Sequence, residues 1–276
     1  TAVKHSIAIP SLPNINIADS LAPTLFYNNT ACQLLTQYAL SNTHTHTHSF
    51  TFYTDGSVSN IGTSNCSMGV GWVQIDHNQV CNSFSVKILN WPLSYKAELL
   101  AMLSAIATLP RNAKVDIFTD SQSIISKYYK LLSTSPTSSK YFKFNYWPIW
   151  HTLLNAIKAF NIQLTLHKVQ AHSNDRFNNM ADALAKTHQQ LSTPTLLFNH
   201  TNIHNPHFTI QWKKHNIEKP TRLFVKNIRR AFTIALWSSQ KRNTEWEHYT
   251  QTIDWNSTWL YLNNNLTTAT ALPHPN

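Results

Sequence analysis

Acids are scarce in this chain. Twelve of its 276 residues are Asp or Glu, against 22 Lys plus Arg, and charged residues of both signs make up only 12%. The net charge is +10 and the pI is near 9.5. That balance favours polyanionic partners, nucleic acid ahead of an anionic membrane. Cysteine is scarce as well. Cys32, Cys66 and Cys81 form no CxxC pair, which argues against a thiolate-built zinc site and a disulfide framework and fits a reducing compartment. No stretch stays apolar for the roughly 18 residues a membrane span needs, and the N-terminus has no charged-then-apolar signal pattern. The expectation is an intracellular protein, cytoplasmic or nuclear, not secreted and with no membrane partner. The first residue is Thr rather than Met, as in a processed product or a fragment of a longer polyprotein.

Residues 1–47 are mostly polar and read as an N-terminal linker or extension, with one helix around Ala31–Leu40. They end near the run SNTHTHTHS, whose His44, His46 and His48 read as solvated linker because no carboxylate or thiolate lies nearby to complete a metal site. From about residue 48 to 192 the pattern is periodic. Phe50–Thr54, Gly69–Ile75 and Val80–Ile88 read as three strands joined by short loops. Ser94 reads as the N-cap of a helix with Leu99, Met102, Leu103 and Ile106 on one face. Lys114–Thr119 is a fourth strand, followed by a helix capped at Asp120 or Ser121. A helix over about Ile149–Phe160, a strand through Ile162, Leu164 and Leu166, and a last helix with Met180, Leu184, Thr187 and Leu191 on one face complete the order β-β-β-α-β-α-α-β-α. The implied fold class is α/β: a five-stranded mixed sheet, three antiparallel strands and then parallel ones, flanked by helices. Residues 193–276 read as a basic extension, helical around Arg222–Gln240.

The few acids are not scattered. Asp55 follows the first strand and Asp120 the fourth, while Glu98 and Asp182 lie near the starts of two helices. If the first and fourth strands are adjacent and parallel, Asp55 and Asp120 emerge side by side at the carboxyl edge of the sheet, where ligands bind in such folds. Clustered carboxylates repel one another unless cations neutralise them, and an all-oxygen set suits Mg²⁺ or Mn²⁺. Each acid alone has an ordinary explanation, as a turn residue, a cap or a solvated first-turn acid. Four in one such arrangement point to a metal-dependent site.

The ordered segments YTDGS, YKAELLAM, IFTDSQS and VQAHSNDRFNNMADALAK resemble the successive signatures of type 1 ribonuclease H over about residues 48–190. The form SYKAEL resembles the ribonuclease H domains of non-LTR retrotransposon polyproteins, where a reverse transcriptase domain would share the chain. The resemblance implies a ribonuclease H-like fold and hydrolysis of the RNA strand of an RNA–DNA hybrid with two Mg²⁺ ions, which Mn²⁺ can replace. Products would carry 5′-phosphate and 3′-hydroxyl ends. It implies that Asp55 bridges both ions, that Asp182 helps hold the ion activating water, and that Glu98 and Asp120 hold the ion at the leaving group. His172 would assist proton transfer or product release. Gly56, Ser57, Ser121 and Gln122 are candidate contacts to the RNA backbone, with ordinary turn and N-cap duty as the equal alternative. The chain departs from the family pattern at Asn178 and Asn179, where a Glu is common, and in the Gly-poor loop VSNIGTSNCSMG. Two other classes stand beside the enzyme: a catalytically inert nucleic-acid-binding module of the same fold, and integrase or transposase chemistry, whose final helix AHSNDRFNNMAD does not resemble.

Overall fold

The computed structural model describes residues 20–44, 48–61, 63, 65–134, 143–170, 175–190, 192–202 and 210–243. The chain divides into two compact units, Thr1–Thr221 and Arg222–Asn276.

The first unit is built on a sheet whose strands run in the order β5-β4-β1-β2-β3-β6. Strands β1 (Ser49–Ser59), β2 (Ser67–Asp76) and β3 (Gln79–Ile88) form the antiparallel meander expected from their short connecting loops. Strands β4 (Lys114–Thr119) and β5 (Gln163–Lys168) continue it in parallel with β1. A sixth strand of two residues, β6 (Thr195–Leu196), pairs in parallel with the end of β3. Two residues offer no alternation to read, so the sequence predicts five strands and not this edge.

One face of the sheet carries most of the core. Phe52, Val70 and Trp72 point into it, and the Trp72 indole donates to Ser104 Oγ at 3.1 Å. Ser104 lies on α3 (Ser94–Ile106), which is buried at every position from Lys96 to Ile106. Leu99, Met102, Leu103 and Ile106 predict one apolar face, whereas the whole circumference is enclosed because α3 packs on β1 and β2 and is covered in turn by α4 (Gln122–Thr134) and α5 (Trp147–Ala159). A helix apolar almost all round belongs in an interior. Its N-cap is Leu93 and not Ser94, and no side chain caps it.

The described part of the N-terminal segment, residues 20–44, packs into the core as a linker would not. α1 (Ala22–Leu25) and α2 (Thr30–Thr43) place Leu21, Ala22, Leu25, Phe26, Ala31, Cys32 and Leu35 in the main core. The Asn29 side chain caps α2 by accepting from Cys32 N at 3.0 Å, and Tyr38 OH donates to Ser83 O at 2.8 Å. Composition hides this because the apolar residues are spread thinly among polar ones. His44 is the C-cap of α2; His46 lies outside the described residues.

On the opposite sheet face lies α6 (Arg176–Lys186), packed against β1, β2 and β3. Its buried residues are Asn178, Ala181 and Ala185, not the face through Met180 and Leu184 that periodicity predicts. The physical reason is on β2. A Cβ at Gly71 would lie 2.3 Å from Ala185 N and 2.4 Å from Ala181 O, and one at Gly69 would lie 2.1 Å from Ala185 O. Glycine and alanine let the helix backbone approach the strand, so small residues face inward and the bulkier ones are displaced outward.

Beyond β6, the hairpin of β7 (Gln211–Trp212) and β8 (His215–Asn216) leads to Glu218, which is buried in the first unit. The described part of the second unit is dominated by α7 (Thr221–Ser238), with Arg222, Lys226, Arg229 and Arg230 among exposed apolar side chains such as Phe232 and Leu236. No helix among the described residues is long and apolar enough to cross a membrane.

Candidate active site

Strands β1 and β4 bring the first two acids together through their register. Tyr53 pairs with Phe118 as the last parallel couple. Two residues further along each chain, on the same sheet face by strand alternation, stand Asp55 and Asp120. Asp120 follows the end of β4. Asp55 does not end its strand, as the turn-like sequence TDGS predicts, because β1 continues as a hairpin with β2 and Asp55 pairs with Gly71.

Glu98 reaches them from α3. It lies just past the first helical turn, and its approach depends on Gly56. A Cβ at Gly56 would stand 2.3 Å from Glu98 N and 2.8 Å from Ala97 Cβ, so only glycine lets strand and helix meet there. Asp55, Glu98 and Asp120 each offer a carboxylate oxygen within 4.8 Å of the others. Asp55 and Glu98 are buried and Asp120 is half-buried.

The electrostatics follow from that geometry. Burial, then the charges of Asp120 and Asp182, push the Asp55 carboxyl up to about 7, against opposition from a Gly56 backbone hydrogen bond and Lys186. Burial, then Asp55 and Asp120, push Glu98 well above the usual carboxylate range, opposed by Gly56 and Lys168. Glu98 Oε2 is buried with no hydrogen-bond partner. A buried carboxylate oxygen left without a donor is costly, and three clustered carboxylates repel one another. A hard divalent cation removes both penalties, and an all-carboxylate donor set fits Mg²⁺ or Mn²⁺.

Asp182 stands apart from this trio. It lies in the second turn of α6, half-exposed, and Lys186 one turn further on donates to its Oδ2 at 2.6 Å. Its charge still reaches Asp55. Asp55 is thus the acid coupled to all three others, Glu98 and Asp120 on one side and Asp182 on the other. The helix is held at its start by Asp175, which accepts from Phe177 N at 2.9 Å and Asn178 N at 3.0 Å.

His172 lies outside the described residues. Of the candidate substrate contacts, Gly56 is occupied by its contact with α3. Ser57 is half-buried on β1, where it pairs with Gly69. Ser121 and Gln122 begin α4 with local bonds: Ser121 N donates to Thr119 Oγ1 at 3.1 Å, and Gln122 Nε2 donates to Ser126 Oγ at 3.2 Å. Two cations escaped the sequence reading. Lys168, at the end of β5, donates to the Asp120 carbonyl; nothing in its local sequence marks it. Lys186 was legible, since an acid four residues before a lysine on one helix is a known pair.

An RNase H family model matches residues 47–190, just over half of the chain. A ribonuclease H of Prosthecochloris aestuarii is 28% identical over 143 residues, covering 49% of this chain and 90% of that protein. One from Caldicellulosiruptor saccharolyticus is 31% identical over 147 residues, covering 49% and 92%. Among solved structures, the RNase H domain of PFV in solution covers 51% of this chain and 93% of that one, at 24% identity and a TM-score of 0.42.

Proposed function

The chain belongs to the RNase H family, and from that membership we propose that it is a metal-dependent endoribonuclease cutting the RNA strand of RNA–DNA hybrids. The observation that carries this reading is the meeting of Asp55, Glu98 and Asp120 within 4.8 Å, with Glu98 Oε2 buried and unpartnered. We assign Asp55, Glu98 and Asp120 as holders of divalent metal, with Asp182 supplying the fourth carboxylate. Asp55, coupled to each of the others, is suited to serve two ions at once. Bound Mg²⁺ would lower the pKa of an attacking water and stabilise the departing 3′ oxygen. The scissile phosphate would lie beside Asp120 and Asp182, the two acids of the set that are not buried. Lys168 and Lys186 offset part of the acid charge there and favour approach of a polyanion.

The net charge of +10 supports a nucleic-acid substrate. Recognition of a hybrid would rest on phosphates and 2′-hydroxyls with little reading of base sequence. The SYKAEL form supports an origin in a retrotransposon polyprotein alongside a reverse transcriptase, working inside the cell.

Cleavage of a labelled RNA–DNA hybrid with Mg²⁺ or Mn²⁺, comparing the native chain with Asp120→Asn, tests the reading. Metal-dependent cutting of the RNA strand, lost in the variant and absent on double-stranded DNA, is expected. Salt-sensitive binding without cutting, unchanged in the variant, would overturn it in favour of an inert binding module.

A further inference from the structure

A second charged cluster lies outside the metal site and joins the matched family segment to residues beyond it. Lys96 is on the first turn of α3, two residues before Glu98, and its side chain is 4% exposed. Its Nζ donates to Leu89 O at 3.1 Å and Asn90 O at 2.9 Å, and meets Glu218 Oε2 at 2.7 Å. Glu218 is 2% exposed on its side chain, and its other oxygen lies 3.0 Å from His200 Nε2. Burial pushes the Glu218 carboxyl up, but His200 and Lys96 more than offset it and hold it below its usual value. The Glu218 carbonyl accepts from the Tyr146 N–H at the entry to α5. One acid thus ties the start of α3, the entry to α5 and the segment after β6. The family match ends at residue 190, so Lys96 lies within the family segment and Glu218 beyond it.

Removing one partner of a buried ion pair leaves an uncompensated charge in a dry site. Lys96 is also held by the Leu89 and Asn90 carbonyls, so strain from its uncompensated charge falls on the first turn of α3. That turn is pressed against β1 through Gly56, where the helix backbone leaves no room for even a Cβ. Movement there displaces Glu98 relative to Asp55 and Asp120. We propose that Glu218 is a positioning residue of the metal centre: through Lys96 it holds the first turn of α3 so that Glu98 stands in reach of Asp55 and Asp120. This rests on the metal-site reading above. It makes the segment after residue 192 part of the working enzyme rather than an appendage.

The test uses the full chain and Mn²⁺ alone, with binding measured by isothermal titration calorimetry and folding by circular dichroism. Glu218→Ala is expected to weaken Mn²⁺ binding about tenfold, as loss of a partner behind a ligand does, and Glu218→Gln to fall between it and the native chain. On hybrid substrate kcat should drop while KM holds, because the substrate surface is untouched. The double replacement Lys96→Met with Glu218→Leu removes both charges and is expected to recover Mn²⁺ affinity towards the native value. Native Mn²⁺ affinity in either single variant overturns the proposal, and Glu218→Gln decides alone if Glu218→Ala does not fold. A folded double variant as weak as Glu218→Ala also overturns it, since the effect would not run through Lys96. If the native chain binds no Mn²⁺, the metal-site reading falls first. If it binds and the variants match it, only the Glu218 proposal falls.

Discussion

Gly56 and Glu98 meet backbone to backbone, with space for a hydrogen and not for a methyl group: a Cβ on residue 56 would lie 2.3 Å from Glu98 N and 2.5 Å from the Ala97 carbonyl carbon. Both atoms are main chain and cannot rotate away. Gly56→Ala is therefore expected to force β1 and α3 apart, costing about 1–3 kcal/mol of stability, measured by urea unfolding. Hybrid cleavage should fall with it, since the same contact sets Glu98 beside Asp55.

Asp55 predicts an unusual pH dependence in the absence of metal. Its carboxyl is raised from near 3.8 to about 7, chiefly by burial and then by Asp120 and Asp182. An acid raised in the folded state holds its proton longer there than in the unfolded chain, so its ionisation opposes folding. The stability it contributes is full below about pH 4 and is lost as the pH rises to about 7, a change of at most about 4 kcal/mol. In EDTA the unfolding midpoint should fall as the pH rises from about 4 to about 7. Asp55→Asn should flatten that slope and abolish cleavage. Added Mg²⁺ should restore stability at pH 8 in the native chain but not in the variant, by mass action on the folded state.

Asp182 should behave differently from the buried acids. It is half-exposed and its bond is to Lys186 on the same helix, a kind of pair worth about 0.3–0.5 kcal/mol. Asp182→Asn is expected to leave the unfolding midpoint nearly unchanged while weakening Mn²⁺ binding and cleavage. Calorimetry beside thermal unfolding would show the separation; a large stability loss would argue that Asp182 is structural.

The N-cap of α6 offers a graded probe. Asp175 satisfies two of the helix's first amides, and Asp175→Ala should cost about 1 kcal/mol. Asp175→Asn, which can accept the same bonds, should cost less. Because α6 carries Asp182, cleavage should follow stability in the order native, Asn, Ala.

Much of the fold was legible locally. β3 declares itself by alternation and β4 begins and ends where its sequence predicts, because a strand half-buried on a sheet must alternate whatever its neighbours are; β2, buried from Met68 to Gln74, reads only as a run of strand-forming residues. Helices α2 to α7 are each anticipated in place from breakers and apolar spacing, although the cap of α3 and the inward face of α6 are not. Asp55, Glu98 and Asp120 were readable as a group because so few acids sit in this segment and because a right-handed crossover makes β4 parallel to β1; the register that sets Asp55 beside Asp120 came from the structure. Ambiguity was local too: TDGS looks like a turn, and only pairing with β2 carries Asp55 into the strand.

What the sequence determined by itself is the order of elements and the identity of the acids, since both rest on near-neighbour periodicity and composition. Tertiary structure alone decided which way the helices face and what the flanking segments do. The inward face of α6 is chosen by Gly69 and Gly71, far away in sequence, because closeness of backbone approach outweighs side-chain bulk there. α3 is buried all round because elements from four parts of the chain converge on it. Lys96 and Glu218 carry opposite charges that mean nothing until folding removes both from water, and a long-range pair of that kind leaves no periodic trace along the chain.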